Sequence, residues 1–295
     1  MKPLFMWAGG KTRLIKKYKE HLPETIEHYV EPFMGAGAMF VWAYKKNPNA
    51  RFVLNDSNVA IMNIYRMIRQ DVEIFMEHLD HMSSIYLPLS KEDRKAYYYS
   101  LRHQHAYNYD RWTRAREAAS LYFLMKTGFN GIWQINKNTS GRFGTPAGLL
   151  NQKDKVYDKT NVMEWSKALQ RCTLLSGDFA IALPHIEPNS YVFLDPPYRG
   201  SFTQYGVDFG DQMQQRVVDF LNECVEKGAY TLMSNRDVGD NFFEDRVGTN
   251  EIVYFDVTYT AGRRKKHADG TFTAKKAREI LMIGSKKGSS NVERE

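Results

Sequence analysis

His28-Tyr29-Val30-Glu31-Pro32-Phe33, then Gly35-Ala36-Gly37, then Ala38 to Lys46, then Arg51-Phe52-Val53-Leu54 with Asn55-Asp56 behind it, is the stretch that decides the fold. It opens with a short apolar strand, which the glycines close. A helix-like stretch follows, and Arg51 to Leu54 reads as a second strand. Strand, helix, strand in that order is βαβ grammar and implies a parallel sheet.

The same alternation returns in the second half. Cys172 to Ser176, Tyr191 to Leu194 and Tyr230 to Ser234 read as strands, and Glu251 to Thr258 and Glu279 to Gly284 as the strands that close the sheet. Between the two halves the pattern changes. From Ser57 to about Met125 only helical stripes occur, such as Ile61-Ile64-Met67-Ile68 and Ala118-Leu121-Tyr122-Met125. The glycine-rich segment from Phe129 to Leu150 then suggests a β-hairpin plus loop. The expectation is an α/β core made of residues 1–56 and 150–295, with residues 57–149 inserted. The tail after Ser285 is expected to fray.

Bulk composition is that of a soluble globular chain: 295 residues, 43% hydrophobic and 25% charged. No stretch approaches a membrane span, and no signal-peptide core is present at the N-terminus. Cys172 and Cys224, the two cysteines, lack a neighbouring Cys or His and read as buried thiols of a reducing compartment. The net charge of +7 and the 14% aromatic content favour a polyanionic partner such as nucleic acid.

The strand Tyr191 to Leu194 delivers Asp195-Pro196-Pro197-Tyr198. Two prolines fix φ and remove two backbone donors, so the turn carries a carboxylate, bare carbonyls and an aromatic face. An aromatic amine such as N6 of adenine needs two acceptors for its hydrogens, which Asp195 and the Pro196 carbonyl could supply, and a ring to stack on, which Tyr198 offers. A rigid surface turn is the plainer alternative. Gly35-Ala36-Gly37, between strand and helix, permits close backbone approach to a ligand. Asp56 stands where an acidic residue takes a ribose diol, or equally where one closes an Asx turn before the next helix. A third fingerprint glycine is missing, which disfavours a dinucleotide and hence a dehydrogenase. Trp7-Ala8-Gly9-Gly10-Lys11 brings a cation to the same sheet edge without the spacing of a P-loop.

Taken in order, Trp7-Ala8-Gly9-Gly10-Lys11, Glu31-Pro32-Phe33-Met34-Gly35-Ala36-Gly37, Leu54-Asn55-Asp56, Ser176-Gly177-Asp178-Phe179 and Asp195-Pro196-Pro197-Tyr198 closely resemble the Dam-type, α-group DNA adenine-N6 methyltransferases. The likeness extends through Asn130-Gly131, Phe143 to Gly148, Phe202-Thr203-Gln204-Tyr205 and Ser234-Asn235-Arg236-Asp237. It implies a Rossmann-like methyltransferase core with an inserted, mostly helical recognition subdomain plus β-hairpin. S-adenosylmethionine (AdoMet) is the implied methyl donor, leaving S-adenosylhomocysteine. By position, Trp7, Lys11, Phe33, Gly35, Ala36 and Gly37 line the cofactor pocket. Asp56 takes the ribose, Asp178 and Phe179 hold the cofactor's adenine, and Asp195 stands at the junction of donor and acceptor. Transfer goes to N6 of an adenine flipped out of double-stranded DNA. No metal is implied.

The resemblance also sets expectations for DNA. Asn130, Trp133, Gln134 and Asn136, with Arg142 in the loop beyond, occupy the place where such enzymes read their site. Gln134 replaces the Arg common in GATC-specific members, which leaves the target sequence open; a solvated turn residue is the equal alternative. Arg263-Arg264-Lys265-Lys266 reads as a phosphate-contacting cluster. The Tyr97-Tyr98-Tyr99 run and His103/His105 are assigned to helix packing or surface. Rival readings are cytosine-N4 methylation and a non-catalytic DNA-binding relic. A bacterial cytoplasm, with host or phage origin open, is the expected setting. The sequence leaves oligomeric state, processivity and a restriction partner undecided.

Overall fold

The computed structural model describes residues 1–7, 11, 15–200, 209–248, 251–259, 265–266, 272–273 and 275–285. Ala8, Gly9, Gly10, Phe202 to Tyr205, Arg263, Arg264 and the tail beyond Ser285 lie outside them.

Among the described residues a seven-stranded sheet forms the centre, in the order β3-β2-β1-β4-β5-β9-β6. Its strands are β1 (His28–Glu31), β2 (Arg51–Leu54), β3 (Cys172–Leu174), β4 (Tyr191–Leu194), β5 (Tyr230–Asp237), β6 (Glu251–Tyr259) and β9 (Lys275–Gly284). The two-residue strands β7 (Lys265–Lys266) and β8 (Phe272–Thr273) pair with each other in the β6–β9 connection. β1 to β5 run parallel, and β9 enters antiparallel between β5 and β6.

The parallel strands read as unbroken apolar runs because both faces of the sheet are covered. Side chains alternate between two cores: Tyr29, Phe52, Tyr191 and Phe193 join one, and Val30, Val53, Val192 and Leu194 the other. The first core carries α1 (Ala38–Lys46), α2 (Val59–Gln70) and α6 (Lys159–Leu169); α7 (Asp211–Glu226) covers the second.

The expected strands and the helix Ala38–Lys46 are all present, with some ends shifted. β1 stops at Glu31 because Pro32 has no amide to donate. β5 and β9 are longer than their apolar runs because they pair with each other through polar residues, as at Asn235↔Ile280 and Asp237↔Arg278.

The helical stretch resolves into α2, α3 (Val72–Tyr86), α4 (Lys91–Tyr107) and α5 (Arg114–Thr127). α2 packs against α5 on one side and α6 on the other, so one continuous core runs from the sheet into the insertion. The segment from 128 to 150 keeps its antiparallel pairing in reduced form, as two isolated bridges, Gly128↔Ala147 and Ile135↔Phe143, between tight turns. No helix among the described residues is long and apolar enough to cross a membrane.

Candidate active site at the carboxyl ends of the parallel strands

β1 has β2 on one side and β4 on the other, so chain order reverses between β1 and β4. Open α/β sheets bind ligands at such a switch point, beyond the carboxyl ends of the strands. Tyr29 and Val30 pair with Tyr191 and Val192. The glycine turn leaving β1 and the Asp195 turn leaving β4 therefore share one edge of the sheet.

The ends of β1, β2 and β3 are laced together. Asn55, buried, donates from Nδ2 to the carbonyls of Pro32 and Gly177, both at 3.0 Å. Its own carbonyl accepts from Met34 N at 2.9 Å. Asp56 accepts from Gly35 N on Oδ2 (2.8 Å) and from Asn58 N on Oδ1 (2.9 Å). The Asx turn anticipated at Asp56 is thus present, while Asn58 caps α2 through Ile61 N. Burial raises the Asp56 carboxyl above its usual value, and the two amide bonds oppose that shift.

Gly35 and Gly37 hold φ of +50° and +70°. Packing alone already demands glycine there: a Cβ at Gly37 would lie 2.6 Å from the Trp165 ring, and one at Gly35 2.9 Å from Trp7 Nε1. Ala36 is buried beside them. Phe33 faces Phe179 with ring centroids 5.3 Å apart. Asp178 caps the turn after β3 through Ala180 N and pairs with Arg216 at 3.1 Å, both side chains being about half exposed.

Asp195 is held by two groups on one oxygen. Oδ1 accepts from Ser234 Oγ at 2.9 Å and from the Lys11 ammonium at 2.7 Å. Lys11, only 3% exposed, also lies over the Tyr198 ring, 4.6 Å from its centroid. Burial works against the Lys11 charge, but the Asp195 carboxylate and neighbouring groups outweigh it and raise its pKa. A nitrogen cation thus sits against both a carboxylate and an aromatic face.

The sheet edge gathers Trp7, Lys11, Phe33, Gly35, Ala36, Gly37, Asp56, Asp178, Phe179 and Asp195 through Tyr198. The residues fit an adenosyl group in chemistry: a half-buried carboxylate at the end of β2, two phenyl rings packed on each other after β1 and β3, and a further carboxylate after β3.

The recognition candidates fare differently. Asn130 is exposed, with φ of +51°. Gln134 is half-buried, and its backbone carbonyl accepts from Gly144 N. Trp133, expected to contact DNA, is instead 8% exposed and packs between Trp7 and Phe143, because burying an indole outweighs displaying it. Asn136 caps its own turn through Asn138 N. Arg142 is turned inward, paired with Glu117 at 3.3 Å and lying over the Tyr109 ring. Tyr98 and His105 are buried in the helix packing as expected, whereas Tyr97 and Tyr99 are partly covered.

Several residues at the site carried no separate weight in the sequence. Glu31, buried, accepts from Tyr29 OH at 2.8 Å, and burial pushes its carboxyl far above the usual range. Tyr65 of α2 donates to Gly35 O at 2.8 Å. Ser234 begins the Ser234-Asn235-Arg236-Asp237 motif and is legible there, whereas Tyr65 carries no signal in the sequence.

Residues 7–261 match the family described as D12 class N6 adenine-specific DNA methyltransferase. The type II methyltransferase M.MjaIII of Methanocaldococcus jannaschii is 33% identical over 246 residues, covering 80% of this chain and 84% of that protein. The type II methyltransferase M1.LlaDCHI of Lactococcus lactis subsp. cremoris is 28% identical over 246 residues, covering 80% and 81%. A DNA adenine methylase of Vibrio cholerae is 29% identical over 238 residues, covering 78% and 80%.

Proposed function

Because the chain belongs to the D12 class of N6 adenine-specific DNA methyltransferases, and is therefore an adenine-specific DNA methyltransferase, we propose that the cleft beyond β1 and β4 takes AdoMet and a flipped adenine side by side. The pairing of β1 with β4 carries this reading, since it brings the glycine turn and the Asp195 turn to one edge. When bound, AdoMet supplies an electrophilic methyl group on a sulfonium.

The chain's own residues do the rest. Asp56 accepts from the ribose hydroxyls while keeping its bonds to Gly35 and Asn58. Phe179 offers its ring to the cofactor's adenine, with Phe33 packed beside it toward the methionine part, and Asp178 exchanges Arg216 for that adenine's amino group. Oδ1 of Asp195 is already held by Ser234 and Lys11, and its carboxylate accepts one hydrogen of the target N6 through Oδ2. The Pro196 carbonyl accepts the other. Together they stabilise positive charge as it develops on the nitrogen, in a setting fixed before the substrate arrives. Extracting the base from the duplex costs a few kcal/mol. Stacking on Tyr198 returns roughly 1–3 kcal/mol.

The core made of 1–56 and 150–295 supplies this chemistry. The insertion, 57–149, faces the DNA through Asn130 and Gln134, with the 263–266 cluster meeting phosphates. The internal bonds of Arg142 and Asn136 make them supports of that surface.

Asp195→Ala tests the assignment. DNA binding is expected to persist while labelled methyl transfer falls by about 10²–10³-fold. Near-normal incorporation, or N4-methylcytosine in a nucleoside digest of DNA modified by the wild type, would overturn it.

A further inference from the structure

We propose that Gln214 and Asn235 form a carboxamide clamp that fixes the peptide planes on both sides of Tyr198, which makes them positioning residues for methyl transfer. The proposal rests on the reading of Asp195 to Tyr198 as the catalytic turn.

Both side chains are fully buried, Gln214 on α7 and Asn235 on β5. Asn235 Nδ2 donates to Gln214 Oε1 at 2.9 Å, and Gln214 Nε2 donates to the Pro197 carbonyl at 2.8 Å. Asn235 Oδ1 accepts from the amides of Arg199 at 2.9 Å and Arg236 at 2.8 Å. The relay therefore begins on one peptide flanking Tyr198 and ends on the other. Each carboxamide has one donor end and one acceptor end, so the direction of the relay is set.

The turn needs such a device. Pro196 and Pro197 have no amide hydrogens, so no ladder bond can anchor them from within. Beyond the prolines the clamp takes the Pro197 carbonyl and the Arg199 amide, one from each peptide that flanks Tyr198. With φ locked at each proline, holding the Pro197 carbonyl also restricts the Pro196 carbonyl, the proposed second acceptor for N6. Buried bonds of this kind are strong and leave costly orphans when broken. Two amides that only filled space would not need this pairing, since apolar side chains of similar volume fill a core as well.

Gln214→Met keeps the length of the side chain and loses the bond to Pro197. Asn235→Asp keeps the acceptor for Arg199 and loses the donor to Gln214. Single-turnover methyl transfer is expected to fall about 10- to 100-fold for Gln214→Met, as small misplacements of reacting groups do. Asn235→Asp is expected to fall about 3- to 30-fold, on the same ground. Dissociation constants for AdoMet and for DNA should move by less than about threefold, and the double variant should be about as slow as the slower single one, because both act through one relay.

Unchanged rates, losses that multiply in the double variant, or a loss of AdoMet affinity matching the loss of rate would each overturn the clamp. Hydrogen exchange gives a second readout in the wild type that needs no activity. The Arg199 amide should be protected, and exchange at the rate of an open loop would overturn the clamp even if a variant failed to fold. A wild type that leaves adenine unmethylated would instead sink the catalytic reading, and the exchange measurement would still decide the clamp.

Discussion

The turn after β4 and the segment from 128 to 150 are both irregular, glycine- or proline-rich and assigned to substrate, yet they are held in different ways. The first hangs from the sheet itself: Ser234 and Asn235 of β5 and Gln214 of α7 reach Asp195, the Arg199 amide and the Pro197 carbonyl. The second is fastened from outside by side chains of α4. Arg102 donates to the carbonyls of Gly144 and Thr145, both at 2.9 Å, Tyr98 OH to Thr145 at 2.9 Å, and Tyr107 OH to Asn138 at 3.0 Å. The turn proposed to be catalytic, whose acceptors must not move, is thus held by buried side chains of β5 and α7. The segment proposed to read DNA is attached by a few side-chain bonds from one helix.

That contrast can be broken at several points. Trp133→Ala removes the indole that joins the segment from 128 to 150 to Trp7. It should lower stability by about 3–5 kcal/mol in urea unfolding. A change below about 1 kcal/mol, the size typical of an exposed site, would mean that Trp133 does not pack as described.

A pH titration probes the same half of the molecule. His105 is 2% exposed, and neither ring nitrogen has a partner among the described residues. Burial, with Arg142 nearby, pushes its pKa down to about 4 from 6.5. The unfolded chain therefore takes the proton first on acidification. The stabilisation is full above pH 6.5 and is lost as pH falls from there towards 4, by roughly 3 kcal/mol. Urea unfolding of the wild type and of His105→Leu across that window should diverge; parallel curves would refute the account.

Arg102→Met tests the fastening bonds directly. Losing two hydrogen bonds from a charged donor should lower stability by roughly 1.5–3 kcal/mol, with faster amide exchange concentrated between 143 and 147. The smallest effect is expected at Arg216→Ala. Its pair with Asp178 is about half exposed on both sides, and such pairs contribute roughly 0.2–1 kcal/mol. A loss well beyond that would show that the two ends of the cleft are less different than their burial suggests.

Legibility followed the same division. The parallel strands could be read because both faces are buried and their apolar runs admit little else. The motifs at their ends could be read because glycine, proline and aspartate there answer to backbone constraints. Gln214 carried no mark: it is one polar residue in an amphipathic helix, and its meaning lies in a carbonyl seventeen residues away in sequence. Trp133 and Arg142 are expected at the DNA because the family resemblance places them in the segment where such enzymes read their site. Their partners, Trp7 and Glu117, come from distant parts of the chain.

Local order and the chemical make-up of the Asp195 to Tyr198 turn were determined by the sequence alone, through periodicity and through the few residues whose backbones permit tight turns. Only the tertiary structure decided which polar groups meet. Hydrogen-bond partners are set by where distant elements pack, and no periodicity records that. The lysine against Asp195, the carboxamide relay beneath Tyr198 and the inward turn of Arg142 all belong to that second class.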